Sequence, residues 1–181
     1  MKEITIEITK YCKEGCAYCS TDASEVGAHL PVELVLAFLH DNKTATRINI
    51  SGGEPLSHPG FWQILQACYD ITYDVWVYTN AIRQLKFNAD VLPGVAVEAN
   101  VVVRPNEPLM IPTGVKKVHL LKLVPQGRGK DCEQLPLIVV SHNFSYDDNE
   151  HDCLHCNHVY LNADGIMVES PCRKHPEADV L

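Results

Sequence analysis

Basic residues are scarce in this chain, with 15 lysines and arginines against 23 aspartates and glutamates and a net charge of −8. That scarcity, with no basic run or arginine-rich helix, excludes a surface built to neutralise phosphates and points away from nucleic acid and anionic membranes. Long apolar runs are missing as well. No stretch approaches the roughly 20 residues of a membrane span, and the opening residues, Met-Lys-Glu-Ile-Thr-Ile-Glu, have no apolar signal region. The expected location is the cytoplasm. In that reducing compartment the eight cysteines are poor candidates for disulfides, and their spacings look like ligand loops. With 181 residues, 46% of them hydrophobic, the chain buries one sizeable core, and the natural count is one domain with a small appendix.

Three of the cysteines, Cys12, Cys16 and Cys19, are spaced C-x3-C-x2-C and follow a short alternating apolar strand. A cubane [4Fe–4S] cluster normally takes four thiolates, so a compact three-thiolate loop implies one iron left open for a small molecule. A zinc knuckle or a reactive loop is the competing reading. Zinc sites, however, usually come as paired C-x2-C or Cys/His sets that close a tetrahedron. Further on stands a Gly-Gly-Glu-Pro run, Gly52 to Pro55.

Together these two motifs resemble the radical SAM superfamily, whose C-x3-C-x-aromatic-C loop is matched residue by residue with Tyr18 in the aromatic place. The resemblance implies a [4Fe–4S] cluster on Cys12, Cys16 and Cys19 whose open iron is chelated by the amino and carboxylate groups of S-adenosylmethionine. It implies that Ser51, Gly52, Gly53, Glu54 and Pro55 border that ligand, the glycines leaving room beside its methionyl part and Glu54 accepting from its ammonium group. Thr79 and Asn80 match a Thr-Asn that ends the third strand in relatives and faces the ligand's carboxylate or ribose; an ordinary turn is the alternative. The implied reaction begins with reductive cleavage of S-adenosylmethionine to a 5′-deoxyadenosyl radical, which takes hydrogen from a peptide or small-molecule substrate. An external one-electron reductant such as flavodoxin or ferredoxin is then the expected partner. A non-catalytic iron–sulfur carrier or a zinc scaffold is the reading from another class, and the Gly-Gly-Glu-Pro run speaks against both.

The periodicity of the chain sets these motifs on a common frame. Residues 3–9 alternate as a strand with Ile4, Ile6 and Ile8 on one face. Pro31 opens a helix expected to run to 41, with Val32, Val35, Leu36 and Leu39 at helical spacing. Further strands are expected at 47–50, 73–78, 95–103, 117–124 and 135–140, with helices at 61–71 and, weakly, at 82–90. Each motif thus falls at the C-terminal end of a strand, where parallel β/α barrels assemble their active sites. The expected fold is α/β, and the resemblance implies a partial (β/α)6 TIM-like barrel. The barrel is trimmed because Pro105, Pro108 and Pro112 bar a crossover helix between 104 and 114. Glu98 and Asn100 share one face of their strand; they point into the barrel mouth or, alternatively, to solvent. Arg104 and Arg128 are candidate carboxylate clamps. Cys68 lies on the apolar stripe of a helix with Phe61, Ile64, Leu65 and Ile71, and reads as core.

The expected domains are 1–130 for the barrel core and 131–181 for the last strand with a cysteine-rich extension. The Val-Pro-Gln-Gly-Arg-Gly stretch ending at Gly129 is similar to one in radical SAM proteins with a C-terminal auxiliary-cluster domain. An Asp164-Gly165 turn between two short β runs, closed by Pro171-Cys172, resembles the hairpin of SPASM and twitch modules. Cys132, Cys153, Cys156 and Cys172 are therefore candidates for a second [4Fe–4S] site. Zinc with His155, His158 or His175 in place of one thiolate, an open three-cysteine site with Cys132 as bystander, and unligated thiols are the alternatives.

Overall fold

Isoleucine at every second position builds the first strand: Ile4, Ile6 and Ile8 are fully buried in β1 (Glu3–Thr9), where branched side chains pack well on a pleated surface. The computed structural model describes residues 2–80, 98–102, 117–121, 144–146 and 158–168. They belong to two compact units, one of Met1–Cys16, Thr21–Ala81 and His151–Leu181, the other of Ala17–Ser20 and Ile82–Glu150.

The first unit continues from β1 through α1 (Val32–Asp41), β2 (Arg47–Gly52), a 3-10 turn (Pro55–Ser57), α2 (Phe61–Tyr69) and β3 (Val75–Val77). The second unit contains β4 (Glu98–Val102), β5 (Lys117–Leu121) and β6 (Phe144–Tyr146), a parallel sheet in that order. Back in the first unit, β7 (His158–Leu161) and β8 (Met167–Val168) complete a sheet of order β3-β2-β1-β7-β8. Its first four strands are parallel and β8 is antiparallel. Parallel neighbours need a crossover, and α1 and α2 supply those for β1 to β2 and β2 to β3. The expected α/β class is thus present, as parallel strands in two sheets among the described residues.

The sheet of the first unit has two unlike faces. Ile4, Ile6, Ile8, Ile48 and Ile50 form the apolar face, and the buried helical residues are Val35, Phe38, Leu39, Phe61, Ile64, Leu65 and Cys68. Burying each of these larger aliphatic or aromatic side chains is worth about 1.5–3 kcal/mol. Cys68 is core, as its helical phase indicated, and burial pushes its thiol up to about 12. The alternate residues of the same strands are polar, with Thr5 opposite Asn49 and Glu7 opposite Ser51 in register. Yet Glu7, Thr9 and Asn49 are as buried as the core. Parallel sheets covered on both sides normally read as near-continuous apolar runs; this one shields a polar face.

Several boundaries differ from the sequence pattern for local reasons. Pro31 is the N-cap rather than the first helical residue, its carbonyl accepting from Leu34 and Val35. In α1 Phe38 is buried and Leu36 only partly, which rotates the core stripe. Helix α2 stops at Tyr69, where the Ile71 amide bonds back only three residues, to the Cys68 carbonyl. Strand β3 starts at Val75, not 73, since the Thr72 hydroxyl accepts from the Asp74 amide and holds a turn there. The Asp164-Gly165 hairpin forms between β7 and β8, with Gly165 at φ +78°. Periodicity did not reveal β6, nor that β7 pairs with β1 across the boundary expected at 130/131. The helix expected at 82–90 and the strand expected at 135–140 lie outside the described residues.

Candidate functional site

The C-terminal ends of β1, β2, β3 and β7 lie at one end of their sheet. Beyond β1 the chain enters the cysteine loop, and the root of that loop is clamped by backbone. Cys12 N donates to Ser24 O at 3.0 Å, Ser24 N to Lys10 O at 3.0 Å, and Lys10 N to Ala28 O at 2.8 Å. Gly15 turns the loop between Cys12 and Cys16 at φ +58° with open space around it. Cys12 is buried, whereas Cys16, Cys19 and Tyr18 are half-buried. Tyr18 and Cys19 belong to the second compact unit and Cys12 and Cys16 to the first. Among the described residues no three His, Cys, Asp or Glu side chains are drawn together as a metal-holding set.

The Gly-Gly-Glu-Pro run packs directly on this root. Gly53 N donates to Thr9 O at 2.7 Å and Glu54 N to Tyr11 O at 2.8 Å. A Cβ on Gly52, which sits at φ +122°, would lie 2.4 Å from Thr9 O, and one on Gly53 would lie 2.3 Å from Tyr11 O. Both glycines are therefore required by the approach of one backbone to another, a constraint that the expected ligand contact does not include.

Glu54 is the polar centre of the run. Glu54 as a residue is only 6% exposed, and its carboxylate accepts three hydrogen bonds from described residues. Oε1 takes Leu56 N at 3.0 Å and the Thr79 hydroxyl at 2.7 Å, while Oε2 takes Asn80 N at 3.0 Å. Thr79 and Asn80 are thus brought to Glu54 at the end of β3, as residues of one site. Among the described residues no cationic side chain pairs with Glu54. A carboxylate has about four acceptor positions, so Oε2 retains one.

Three features of this end of the sheet have no counterpart in the sequence motifs. Thr9, fully buried, hydrogen-bonds through Oγ1 with Tyr11 N at 2.9 Å, Ala28 O at 3.3 Å and His29 Nδ1 at 2.8 Å. The His29 ring stands 5.4 Å from that of Tyr11 and 5.1 Å from that of His58. Burial, with His58 alongside, lowers the His29 pKa. His58 itself donates from Nε2 to Leu30 O at 2.8 Å and accepts Gly60 N at Nδ1 at 2.9 Å. Finally, the β7–β8 turn is tied to β1: Lys10 pairs with Asp164 at 2.5 Å, and Ala163 N donates to Glu7 Oε2 at 3.2 Å. The polar phase of β1, which sets Glu7 and Thr9 opposite the isoleucines, was the available signal for both residues.

Ser51 lies in β2 and Pro55, buried, opens the 3-10 turn. Asn100 is the register partner of His119 in the second unit, two positions from Glu98. Cys132, Cys153, Cys156, Cys172, Arg104 and Arg128 lie outside the described residues. No helix among the described residues is long and apolar enough to cross a membrane.

No protein-family model matches this chain, and no characterised protein matches it in sequence. Among solved structures, the crystal structure of BtrN in complex with AdoMet and 2-DOIA is similar at a TM-score of 0.45, with 14% sequence identity, covering 93% of this chain and 72% of that one.

Proposed function

We propose that this chain is a radical SAM enzyme on a trimmed partial barrel, using a [4Fe–4S] cluster and S-adenosylmethionine to act on a peptide or small-molecule substrate. The observation that carries the reading is Glu54, a buried carboxylate bound among the described residues only by neutral donors, with one acceptor position left there, at the end of a strand beside a cysteine loop. A buried carboxylate without a cation is costly. The ammonium group of an amino acid ligand would relieve that cost. By the chemistry of their thiolates Cys12, Cys16 and Cys19 would hold the cluster, and Ser51, Gly52, Gly53, Pro55, Thr79 and Asn80 would border the ligand; Tyr18 and Asn100, of the second unit, are proposed for it from the sequence alone. When bound, the cluster supplies one-electron cleavage of the sulfonium, and the protein orients the ligand and excludes water. The shielded polar face of β1 and β2 supports a barrel interior on that side of the sheet.

A second cluster on Cys132, Cys153, Cys156 and Cys172 is part of the proposal. Its support is the spacing of these cysteines around the Asp164-Gly165 hairpin, whose ladder pairs Tyr160 with Val168 and Leu161 with Met167. The decisive experiment is iron analysis, low-temperature EPR and 5′-deoxyadenosine assay on anaerobically reconstituted protein, wild type against a Cys12/Cys16/Cys19→Ala variant, with a flavodoxin or ferredoxin as reductant. The variant is expected to keep about four irons per chain and to lose both the spectral response to S-adenosylmethionine and the product. Wild type that makes no 5′-deoxyadenosine and shows no such response would overturn the enzyme reading and revive that of an iron–sulfur carrier. A variant retaining no iron would remove the second cluster.

A further inference from the structure

We propose that Thr9 is a positioning residue that fixes the cysteine loop against the Gly-Gly-Glu-Pro run; this rests on the reading of that pair of motifs as the S-adenosylmethionine site. The argument starts from what a hydroxyl can do, with one proton to donate and two lone pairs to accept with. Thr9 Oγ1 has three partners. Tyr11 N–H is obligatorily a donor, at 2.9 Å, and the hydroxyl proton goes to Ala28 O at 3.3 Å or to His29 Nδ1 at 2.8 Å according to the tautomer of the ring. In either tautomer the hydroxyl is held at once by the Tyr11 amide and by the returning segment at Ala28 and His29.

Each bond has a geometric consequence. Oγ1 to the amide two residues on is a side-chain turn that competes with the strand ladder, and here the β1–β2 register shifts between Glu7 and Thr9. The chain accordingly leaves the sheet at Thr9. Tyr11 then turns its carbonyl to Glu54 N, and Cys12 its amide to Ser24 O. The Thr9 carbonyl accepts Gly53 N at 2.7 Å. Thr9 is thus joined to the strand that precedes Cys12, to the glycines that precede Glu54, and to the returning segment at Ala28 and His29. Its side chain is fully buried, so water cannot stand in for the hydroxyl.

The test uses the full chain, reconstituted anaerobically, as wild type, Thr9→Val and Thr9→Ser. Valine keeps the shape and removes the hydroxyl; serine keeps the hydroxyl. All three are expected to load iron alike, because the thiolates are intact. An S-adenosylmethionine titration followed by EPR is expected to shift its midpoint about tenfold or more for Thr9→Val and less than about threefold for Thr9→Ser, the scale of one unsatisfied buried amide. A wild-type midpoint for Thr9→Val overturns the proposal, as does equal impairment of both variants. Should Thr9→Val not fold, His29→Phe removes the ring nitrogen that bonds Thr9 while keeping the ring contacts; a smaller shift in the same direction supports the proposal, and none overturns it. A wild type that takes up iron but ignores S-adenosylmethionine fails the underlying reading instead, and the control reports this before any variant is compared.

Discussion

Replacing Glu54 by glutamine tests whether this carboxylate holds the ends of β2 and β3 together. The three donors Leu56 N, Thr79 Oγ1 and Asn80 N all need an acceptor, and glutamine has only one oxygen. If that oxygen stays on Leu56 and Thr79, the new NH2 group faces the Asn80 amide, donor against donor; the flipped amide strands Leu56 instead. The first arrangement costs less, because Asn80 is exposed and its amide can turn to water. One charge-assisted hydrogen bond is then lost, worth about 1.5–3 kcal/mol. Glu54→Ala removes all three bonds and is expected to cost about 3 kcal/mol or more. The measurement is urea unfolding of iron-free protein, so that no bound cofactor contributes to apparent stability. A double-mutant cycle between Glu54→Ala and Thr79→Val isolates the 2.7 Å bond, with an expected coupling of about 1–2 kcal/mol. Glu54→Gln within about 0.5 kcal/mol of wild type, together with coupling under about 0.3 kcal/mol, would refute the reasoning.

Two further substitutions address the same end of the sheet. Gly53→Ala drives a methyl group to 2.3 Å from Tyr11 O, and backbone must move to relieve it; the expected loss is about 2 kcal/mol or more in urea unfolding, and a neutral result would contradict the close approach. His29, whose pKa burial lowers from 6.5, binds a proton less readily folded than unfolded. Between its lowered value and 6.5 the unfolded state therefore holds more protons, so stability falls as pH drops through that window. The urea midpoint of wild type should decline on acidification from about pH 7 more than that of His29→Phe, and parallel profiles would remove His29 as the cause.

What the sequence disclosed and what it withheld divide along a physical line. Local signals were legible: the isoleucine alternation of β1, the apolar stripe that buried Cys68, the Asp164-Gly165 turn and the two motifs at strand ends. Each is carried by residues within a few positions of one another, where period and turn chemistry operate. Long-range pairing was not legible. β7 is only four residues long, too short to carry a period, and it lies beside β1 through a ladder from Glu3 with His158 to Ile6 with Leu161, with Lys10 to Asp164 and Ala163 N to Glu7 at its end, all between residues more than 150 positions apart. The candidate site shows the same division. Gly52 and Gly53 were picked out as motif residues, yet the atoms that exclude a side chain there belong to Thr9 and Tyr11. Glu54 was picked out as an acceptor, and the structure adds that Thr79 and Asn80 already occupy part of it. That shared occupancy bears on the proposed chemistry. If Glu54 binds an ammonium group, it does so from a carboxylate already anchored by three donors, so the acceptor is held in place before a ligand arrives and little ordering cost remains at binding. A variant that loosens those donors, such as Thr79→Val, should then weaken S-adenosylmethionine binding without touching the ligand's own contacts on Oε2.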